Sequence, residues 1–242
     1  MKSTLDSYDE WHKTVHGTES SFETHLCQWH QDALALAPAL KDARLLEVGC
    51  GAGDFAIHLC QRAGDVVAVD FSATAIEIAE RKRLAQGAPV SFQVADAQEL
   101  PFPDASFDVV FSCECLEHLP NPQKGLIEMH RVLKERGTLI LTTENYSNAM
   151  VIYWAMAWLR RKPFDSGSGV QPIENFFVFW KVRKMMRRAG FDVRQMLGAH
   201  HVFLAVPGCH PHLFVKERFR TCTYAAIFRI FARHVSFKAM KI

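Results

Sequence analysis

The sequence predicts an α/β fold with a doubly wound, mostly parallel sheet of seven strands. Short apolar runs alternate with helical segments from residue 44 onward, and this alternation is typical of such sheets. The runs are continuously apolar, which indicates strands that are buried on both faces. A glycine-rich turn joins the first run to the first of these helices. With 242 residues and 22% charged residues, the chain is ordinary for a globular protein.

The central part of the chain, 44–144, carries the regular pattern. Its helices are predicted at 54–63, 73–86 and 121–135. Its strands are predicted at 44–50, 66–70, 91–96, 107–114 and 137–144.

The flanking parts are less regular. Residues 10–37 read as helical, and so does 147–160. The segment 173–190 is predicted to be a basic helix that ends at Gly190. The sixth and seventh strands are predicted at 191–197 and 233–242. We therefore expect an N-terminal helical segment, 1–43, followed by one domain, 44–242. Substrate-side insertions are predicted at 145–172 and 202–232, the second between the last two strands and with a basic helix near 213–231.

Composition excludes several classes of protein. The N-terminus is polar, so no secretory signal is expected. The longest charge-free apolar run, 149–159, is shorter than the ~20 residues of a membrane-spanning helix. Seven cysteines are scattered, and only Cys113 and Cys115 lie close together, so we expect reduced thiols and no metal site. These features predict a cytoplasmic protein.

Charge is divided unevenly along the chain. Residues 1–150 hold 12 Lys and Arg against 22 Asp and Glu, whereas 151–242 hold 16 against 4. Such a division indicates an anionic partner for the basic part, which could be a membrane surface, an acidic substrate or nucleic acid.

Three glycines, Gly49, Gly51 and Gly53, follow the first strand in the run "LLEVGCGAGDFA". Glycine permits a sharp turn and lets a ligand approach the main chain, and the next helix would present free N–H groups there. Dinucleotide-binding enzymes instead use G-x-G-x-x-G. Asp70 ends the second strand, where an acid can accept hydrogen bonds from ribose hydroxyls; the alternative, a helix cap, suits Ser72 better.

The run from Glu47 to Gly53 resembles motif I, E-x-G-x-G-x-G, of the class I S-adenosylmethionine-dependent methyltransferases. The runs "VADAQELPFPDASFDVVFS" and "SCECLEHLPNPQ" resemble later motifs of that family, in the right order. The resemblance covers about 44–144 and implies a Rossmann-like methyltransferase fold in which 1–43 forms a lid. It implies S-adenosyl-L-methionine as the cofactor. The residues that it places around this cofactor are Glu47, Gly49, Cys50, Gly51, Gly53, Asp70, Phe71, Asp96, Ala97, Gln98, Cys113 and His118.

Methyl transfer from a sulfonium needs an aligned nucleophile, and a base only where the acceptor must lose a proton. His118 and Glu114 follow the fourth strand and are the candidate catalytic residues. His118 could act as the base or only pack against the cofactor, and Glu114 could orient the substrate or bind the cofactor's ammonium group. The candidate substrate-binding residues are Tyr8, Trp11, Tyr146, His200 and His201.

Several subclasses lack their motifs here. There is no Asn/Asp-Pro-Pro-aromatic run, no Pro-Cys nucleophile after the fourth strand, and no acidic cluster for a metal that we could assemble. A small-molecule or lipid-like acceptor remains, with oxygen slightly favoured over nitrogen or carbon. The alternatives are a non-catalytic partner protein that binds S-adenosylmethionine and a nicotinamide-dependent oxidoreductase.

The basic part mixes cationic and apolar residues in 148–164 and 210–234. Such segments could lie on a membrane surface, cover a long and possibly anionic acceptor, or cover the domain's own core. Nucleic acid is disfavoured because no known binding module appears. The oligomeric state is left open.

Overall fold

The fold is an eight-stranded sheet with helices on both faces. The computed structural model describes residues 4–16, 24, 26–147, 155, 158–161, 172–202, 215–216 and 232–242. The strands are β1 (Arg44–Val48), β2 (Asp65–Asp70), β3 (Val90–Val94), β4 (Phe107–Cys113), β5 (Leu133–Glu144), β6 (Phe191–Val202), β7 (Val215–Lys216) and β8 (Ala232–Lys241). The helices are α1 (Thr4–His16), α2 (Gln28–Leu36), α3 (Asp54–Leu59), α4 (Ala73–Gln86), α5 (Pro122–Val132) and α6 (Phe179–Arg188), with a 3₁₀ turn at Leu116–His118.

Strands β1 to β5 form a parallel half in the order β3-β2-β1-β4-β5. The order reverses direction between β1 and β4, which is where ligands bind in open α/β sheets. The five predicted strands are confirmed, although β5 starts at Leu133 and not at residue 137. Leu133 already pairs with Phe107, and a register shift lies between Phe107 and Val109.

The other edge of the sheet is antiparallel. Strand β8 lies between β5 and β6 and pairs with both in antiparallel fashion. The two last predicted strands are therefore confirmed, and the sheet is mixed. The prediction of a helix at 213–231 is wrong for Val215 and Lys216, which form β7 against β6. The rest of that prediction lies outside the described residues.

Helix α6 begins later than the predicted residue 173. Residues 173–178 run as an extended segment whose main chain bonds to other parts of the protein: Asn175 N–H donates to Glu117 O at 2.7 Å, and Tyr146 N–H donates to Phe177 O at 2.8 Å. The helix then starts at Phe179, whose N–H donates to the Asn145 side chain at 3.0 Å. A distant side chain therefore caps the helix.

Two apolar layers hold the sheet between its helices. One contains Phe107, Leu126 and Phe237, and the other contains Phe55 and Phe111, all essentially buried. Because β1, β2, β4 and β5 are parallel, their carboxyl ends meet at one edge of the sheet. Among the residues described, no helix is long and apolar enough to cross a bilayer.

Candidate active site

A cavity of about 710 Å³ opens at the carboxyl edge of the parallel strands, under α1 and α2. Most of the predicted site residues line it. Those at the cavity wall are Tyr8, Trp11, Glu47, Gly49, Cys50, Gly51, Asp70, Phe71, Asp96, Ala97, Gln98, Cys113, Glu114 and His118. Gly53 is in the turn behind the wall. Tyr146 is buried and does not line the cavity. The side chains of His200 and His201 lie outside the described part of the structure.

The glycine turn is left-handed at all three glycines, with φ of +77° at Gly49, +51° at Gly51 and +80° at Gly53. Side chains would also collide at two of them. A Cβ on Gly49 would lie 2.5 Å from the Cys115 side chain, and one on Gly53 would lie 2.7 Å from Ala79 Cβ. Gly51 lines the cavity, and a Cβ there would meet only His12 Cε1, at 3.9 Å, among the described residues. The turn therefore brings bare main chain to the cavity.

Asp70 ties this turn to the end of β2. Its carboxylate accepts hydrogen bonds from the N–H of Gly51 at 2.9 Å and of Ser72 at 3.0 Å. Burial raises the pKa of Asp70, and these hydrogen bonds act against the rise. Ser72 caps α4 by accepting from Ala75 N–H at 3.2 Å. Asp70 is thus not the cap, and its carboxylate reaches the cavity wall.

Asp96 and Gln98 form a small polar platform after β3. The Asp96 carboxylate accepts from the main-chain N–H of Gln98 at 2.8 Å and from its side-chain amide at 3.1 Å. Gln98 Oε1 in turn accepts from Asn121 N–H at 2.9 Å. These bonds fix a carboxylate and a small buried residue, Ala97, side by side at the wall. An acceptor oxygen next to a main-chain amide is the donor–acceptor set that an adenine edge requires.

Glu47 is a buried acid of the cavity wall. It is only 2% exposed, and its Oε2 has no hydrogen-bond partner among the described residues. Burial raises its pKa well above the usual value, and the charges of Asp54 and Asp70 add to the rise. A buried, incompletely bonded carboxyl at a cavity wall fits a ligand that brings a positive group or an N–H donor. S-adenosylmethionine carries both, so the residues present fit this cofactor.

His118 and Tyr8 both line the cavity, with their ring centroids 6.2 Å apart. The Nδ1 of His118 lies 2.8 Å from the carbonyl oxygen of Ile173, to which it can donate, and the Tyr8 hydroxyl donates to the same oxygen at 3.1 Å. The ring of Tyr8 also contacts the ring of Phe71 edge-on, with centroids 5.0 Å apart. The tautomer that donates from Nδ1 leaves Nε2 of His118 as the acceptor nitrogen. Helix α1 is therefore in contact with the cavity.

Glu114 and Glu117 both follow the fourth strand, as expected from the sequence, and they bond to groups of β5 that the sequence did not reveal. Glu114 has φ of +51°, a conformation rare outside glycine. The Thr142 hydroxyl donates to Glu114 at 2.8 Å, and the Thr143 hydroxyl donates to Glu117 at 2.8 Å. Burial raises the pKa of each glutamate to about 8. The neutral forms of both acids are therefore favoured around pH 7.

The expectation that no acidic cluster could be assembled is wrong. Glu114, Glu144 and His234 offer ligand atoms within 4.8 Å of one another. Glu144, however, already accepts from Arg233 at 2.9 Å and from the Tyr146 hydroxyl at 2.5 Å. Arg233 therefore places a positive charge next to this cluster.

The aromatic residues of α2 were also missed. Trp29 and His30 line the cavity, and the Trp29 ring lies 5.1 Å from that of His234. His30 stacks on Phe55 with centroids 4.7 Å apart. Only the helical periodicity of 10–37 pointed to this segment. No local sequence pattern shows that α2 packs near β8, so sequence motifs could not identify Trp29 and His30 as residues of the site.

Comparison with known proteins agrees with this geometry. Residues 46–141 match the family Methyltransf_11, a methyltransferase domain. A demethylmenaquinone methyltransferase from Thermus thermophilus is 33% identical over 184 residues, which cover 70% of this chain and 84% of that protein. The ajmaline N-methyltransferase of Rauvolfia serpentina is 36% identical over 107 residues, 43% of this chain and 37% of its own length.

Solved structures of other proteins share this fold. A solved S-adenosylmethionine-dependent methyltransferase from Thermotoga maritima, described as a possible histamine N-methyltransferase, superposes with a TM-score of 0.65 at 20% identity, covering 99% of this chain and 100% of that one. These findings decide between the families considered from the sequence, and they disfavour the nicotinamide-dependent oxidoreductase. The chain belongs to the class I S-adenosylmethionine-dependent methyltransferases.

Proposed function

We propose that this protein methylates a small-molecule or lipid-like acceptor, with a hydroxyl or carboxyl oxygen slightly favoured over nitrogen or carbon. One observation carries the proposal. The acids suited to the cofactor, Glu47, Asp70 and Asp96, line the same cavity as the candidate catalytic residues Glu114 and His118. Cofactor and acceptor would therefore share one cavity, as in-line transfer requires.

The residues that line the cavity would have separate roles. Asp70 would accept hydrogen bonds from the ribose hydroxyls, Asp96 and the amides beside it would hold the adenine edge, and Glu47 would face the methionine part. The bound cofactor supplies an activated methyl group. His118, held through Nδ1 by the Ile173 carbonyl, would take the acceptor's proton at Nε2.

The acceptor would lie between α1, α2 and the ends of β4 and β5. Tyr8, Trp11 and Trp29 give this region flat apolar walls, which suit a ring or an unsaturated chain. The relatives that are named for demethylmenaquinone and ajmaline act on small molecules, and this supports the same class here. Tyr146 would act indirectly, because its hydroxyl donates to Glu144 and lies 2.6 Å from Glu174, and both of these acids line the cavity.

The basic part of the chain supports two finer proposals. The acceptor could carry an anionic head group that binds to 148–164 and 210–234. Alternatively, these segments of a cytoplasmic protein would bind to the surface of a membrane. Co-sedimentation with vesicles of anionic and of neutral lipid would separate these readings. Binding to neither kind of vesicle would remove the membrane proposal.

The direct test is incubation with cofactor labelled in its methyl group and a cell extract, followed by separation into lipid and aqueous fractions. We expect label in an organic-soluble small molecule. Label confined to macromolecules would contradict the proposal. No transferred label, with the cofactor bound, would favour the non-catalytic partner protein. His118→Ala in the same assay tests the base: turnover near that of the unaltered protein would make His118 structural.

A further inference from the structure

Glu114 and Glu117 are neighbouring carboxyl groups that follow β4, and the side chain of Glu114 is 15% exposed. Glu117 is 2% exposed, and both residues line the cavity. The negative charge of Glu114 raises the pKa of Glu117. Two neighbouring carboxylates repel each other, so the pair as a whole favours holding a proton.

The groups that face Glu114 come from two strands, β5 and β8. Thr142 of β5 donates to Oε1 at 2.8 Å, and His234 of β8 places Nδ1 3.1 Å from Oε2. Glu144 at the end of β5 repels the charge of Glu114, and Arg233 of β8 attracts it. Arg233 is 2.9 Å from Glu144, so its charge is largely used there.

The groups that face Glu117 come from β5, α1 and the 3₁₀ turn. The Thr143 hydroxyl donates to Oε2 at 2.8 Å. A positive charge on the neighbouring His118 would favour the ionised form of Glu117. The charge of Glu117 in turn raises the pKa of Tyr8 in α1. Burial is the largest influence on either acid, and it raises the pKa of both Glu114 and Glu117 to about 8.

The rest of the cavity wall does not supply a counter-charge. Within the described ranges, no lysine or arginine lines it, whereas further acids do: Glu47, Asp54, Asp70, Asp96, Glu144 and Glu174. Glu47 also has a buried oxygen to which no group in the described part of the chain hydrogen-bonds. The wall is therefore built for a ligand that brings positive charge.

We propose that the Glu114–Glu117 pair is the counter-ion of the cofactor's sulfonium, ionising when S-adenosylmethionine binds and taking up a proton when the sulfur becomes neutral. This inference rests on the proposed function, because it assigns the sulfonium to this cavity. It also gives the pair a part in the reaction. The proton that the acceptor loses is the proton that the pair regains, directly or through His118.

The charges balance at each stage. With the cofactor bound, the pair has one negative charge and the sulfur has one positive charge. When the methyl group moves to an acceptor hydroxyl, the C–S bond breaks and its electron pair stays on sulfur, a C–O bond forms, and the hydroxyl proton passes to the pair. The products are a neutral thioether, a neutral methyl ether and a neutral carboxyl pair. No isolated charge is left in the buried site.

Calorimetry with three ligands tests the inference without an acceptor. S-adenosylmethionine and sinefungin are positive near the methyl position, and S-adenosylhomocysteine is neutral at sulfur. Titrations at pH 7.5 in buffers of different ionisation enthalpy report how many protons are released. We expect the two charged ligands to release up to about one proton more than S-adenosylhomocysteine. Their affinity relative to it should fall up to about tenfold per pH unit below pH 8.

Variants assign the effect to the pair. In Glu114→Gln and Glu117→Gln the extra proton release should be lost and the preference for the charged ligands reduced, while S-adenosylhomocysteine still binds and so reports a folded site. Glu99→Gln, an exposed acid near the site, and His118→Asn should keep the extra release. Equal proton release by all three ligands, or extra release that persists in both glutamate variants, would overturn this inference alone. Failure of all three ligands to bind would overturn the proposed function as well.

Discussion

At the scale of single residues, Asp70 serves the fold and the proposed site together. It fixes the turn through Gly51 N–H and Ser72 N–H and keeps its carboxylate at the cavity wall. Asp70→Asn retains the shape but loses the charge and one acceptor group. We expect affinity for S-adenosylhomocysteine to fall about 10- to 100-fold, since hydrogen bonds to charged groups contribute about 1.5–3 kcal/mol each. Isothermal titration calorimetry measures this affinity.

A matched control for Asp70 is Asp104→Asn. Asp104 has an exposed side chain that pairs with Arg131 away from the cavity, and its loss should leave cofactor affinity unchanged. Unchanged affinity in Asp70→Asn would contradict the ribose role.

The Glu114–Glu117 pair also predicts how stability depends on pH. Both folded pKa values are about 8, above the usual value near 4.5, so the folded state binds more protons than the unfolded state between these values. Stability therefore falls as pH rises toward 8. His30 and His234, whose pKa values are lowered to about 4, act in the opposite direction, but only below about pH 6.5.

The informative window is therefore pH 6.5 to 8. The free energy of unfolding of the ligand-free protein should decrease across it, and it should decrease less in Glu117→Gln. Urea unfolding at several pH values measures both. If the free energy of unfolding changed equally with pH in the unaltered protein and in Glu117→Gln, the Glu114–Glu117 pair would not titrate between pH 6.5 and 8.

The same residues show what sequence reasoning can reach. Glu47, Asp70 and Asp96 were predictable because each lies within two residues of the end of a strand, next to a recognisable turn. Glu144 and His234 were not predictable as site residues. Their contacts with Glu114 depend on how β4, β5 and β8 are placed side by side in the sheet. His234 is 120 residues from Glu114 along the chain, and no local pattern encodes such a contact.

At the scale of elements, the glycine turn is the junction on which β1 and α3 depend. Gly53→Ala would place a Cβ 2.7 Å from both Ala79 and Phe92 at a φ of +80°. We expect a loss of about 2–4 kcal/mol in the free energy of unfolding, from backbone strain and overpacking. Denaturant unfolding measures the loss.

Gly64→Ala is the matched control for the turn. Gly64 is exposed, and a Cβ there would have no atom within 4 Å. This variant should unfold within about 0.5 kcal/mol of the unaltered protein. Equal stabilities of the two alanine variants would mean that the turn is not held as described.

Helix α1 is tied to the domain by Asp9, which accepts hydrogen bonds from the Ser72 hydroxyl and from Thr74 N–H. If α1 is a lid, Asp9→Ala should speed hydrogen exchange in 4–16 about 10- to 100-fold, since these bonds contribute about 1–3 kcal/mol. Lys13→Ala, at an exposed position of the same helix, should have no effect. Exchange that is unaltered in Asp9→Ala would show that other contacts hold α1.

Element boundaries were predictable where local signals were strong and failed where distant partners decide them. Helix α4 matched its prediction, because Ser72 caps one end and Gly87 the other. Helix α6 did not, because Asn145 and Glu117 hold 173–178 in an extended form. No signal within that segment foretells either partner.

At the scale of the whole molecule, the sheet order brings the acidic first part of the chain around the cavity. The parallel half was predictable from its apolar runs, and so were the last two strands. The placement of β8 between β5 and β6 was beyond the sequence pattern, because strand neighbours are set by packing over the full domain. That placement is what brings His234 and Arg233 to the acids of the site.

Every proposed residue role requires the cofactor to lie at the glycine turn on this side of the sheet. A crystal structure with S-adenosylhomocysteine tests it most directly. We predict ribose hydroxyls within hydrogen-bond distance of Asp70, the adenine beside Asp96 and Ala97, and the sulfur facing the Glu114–Glu117 pair. A ligand bound elsewhere, or a cavity that takes a pyrophosphate over Gly49–Gly53 in its place, would contradict the account.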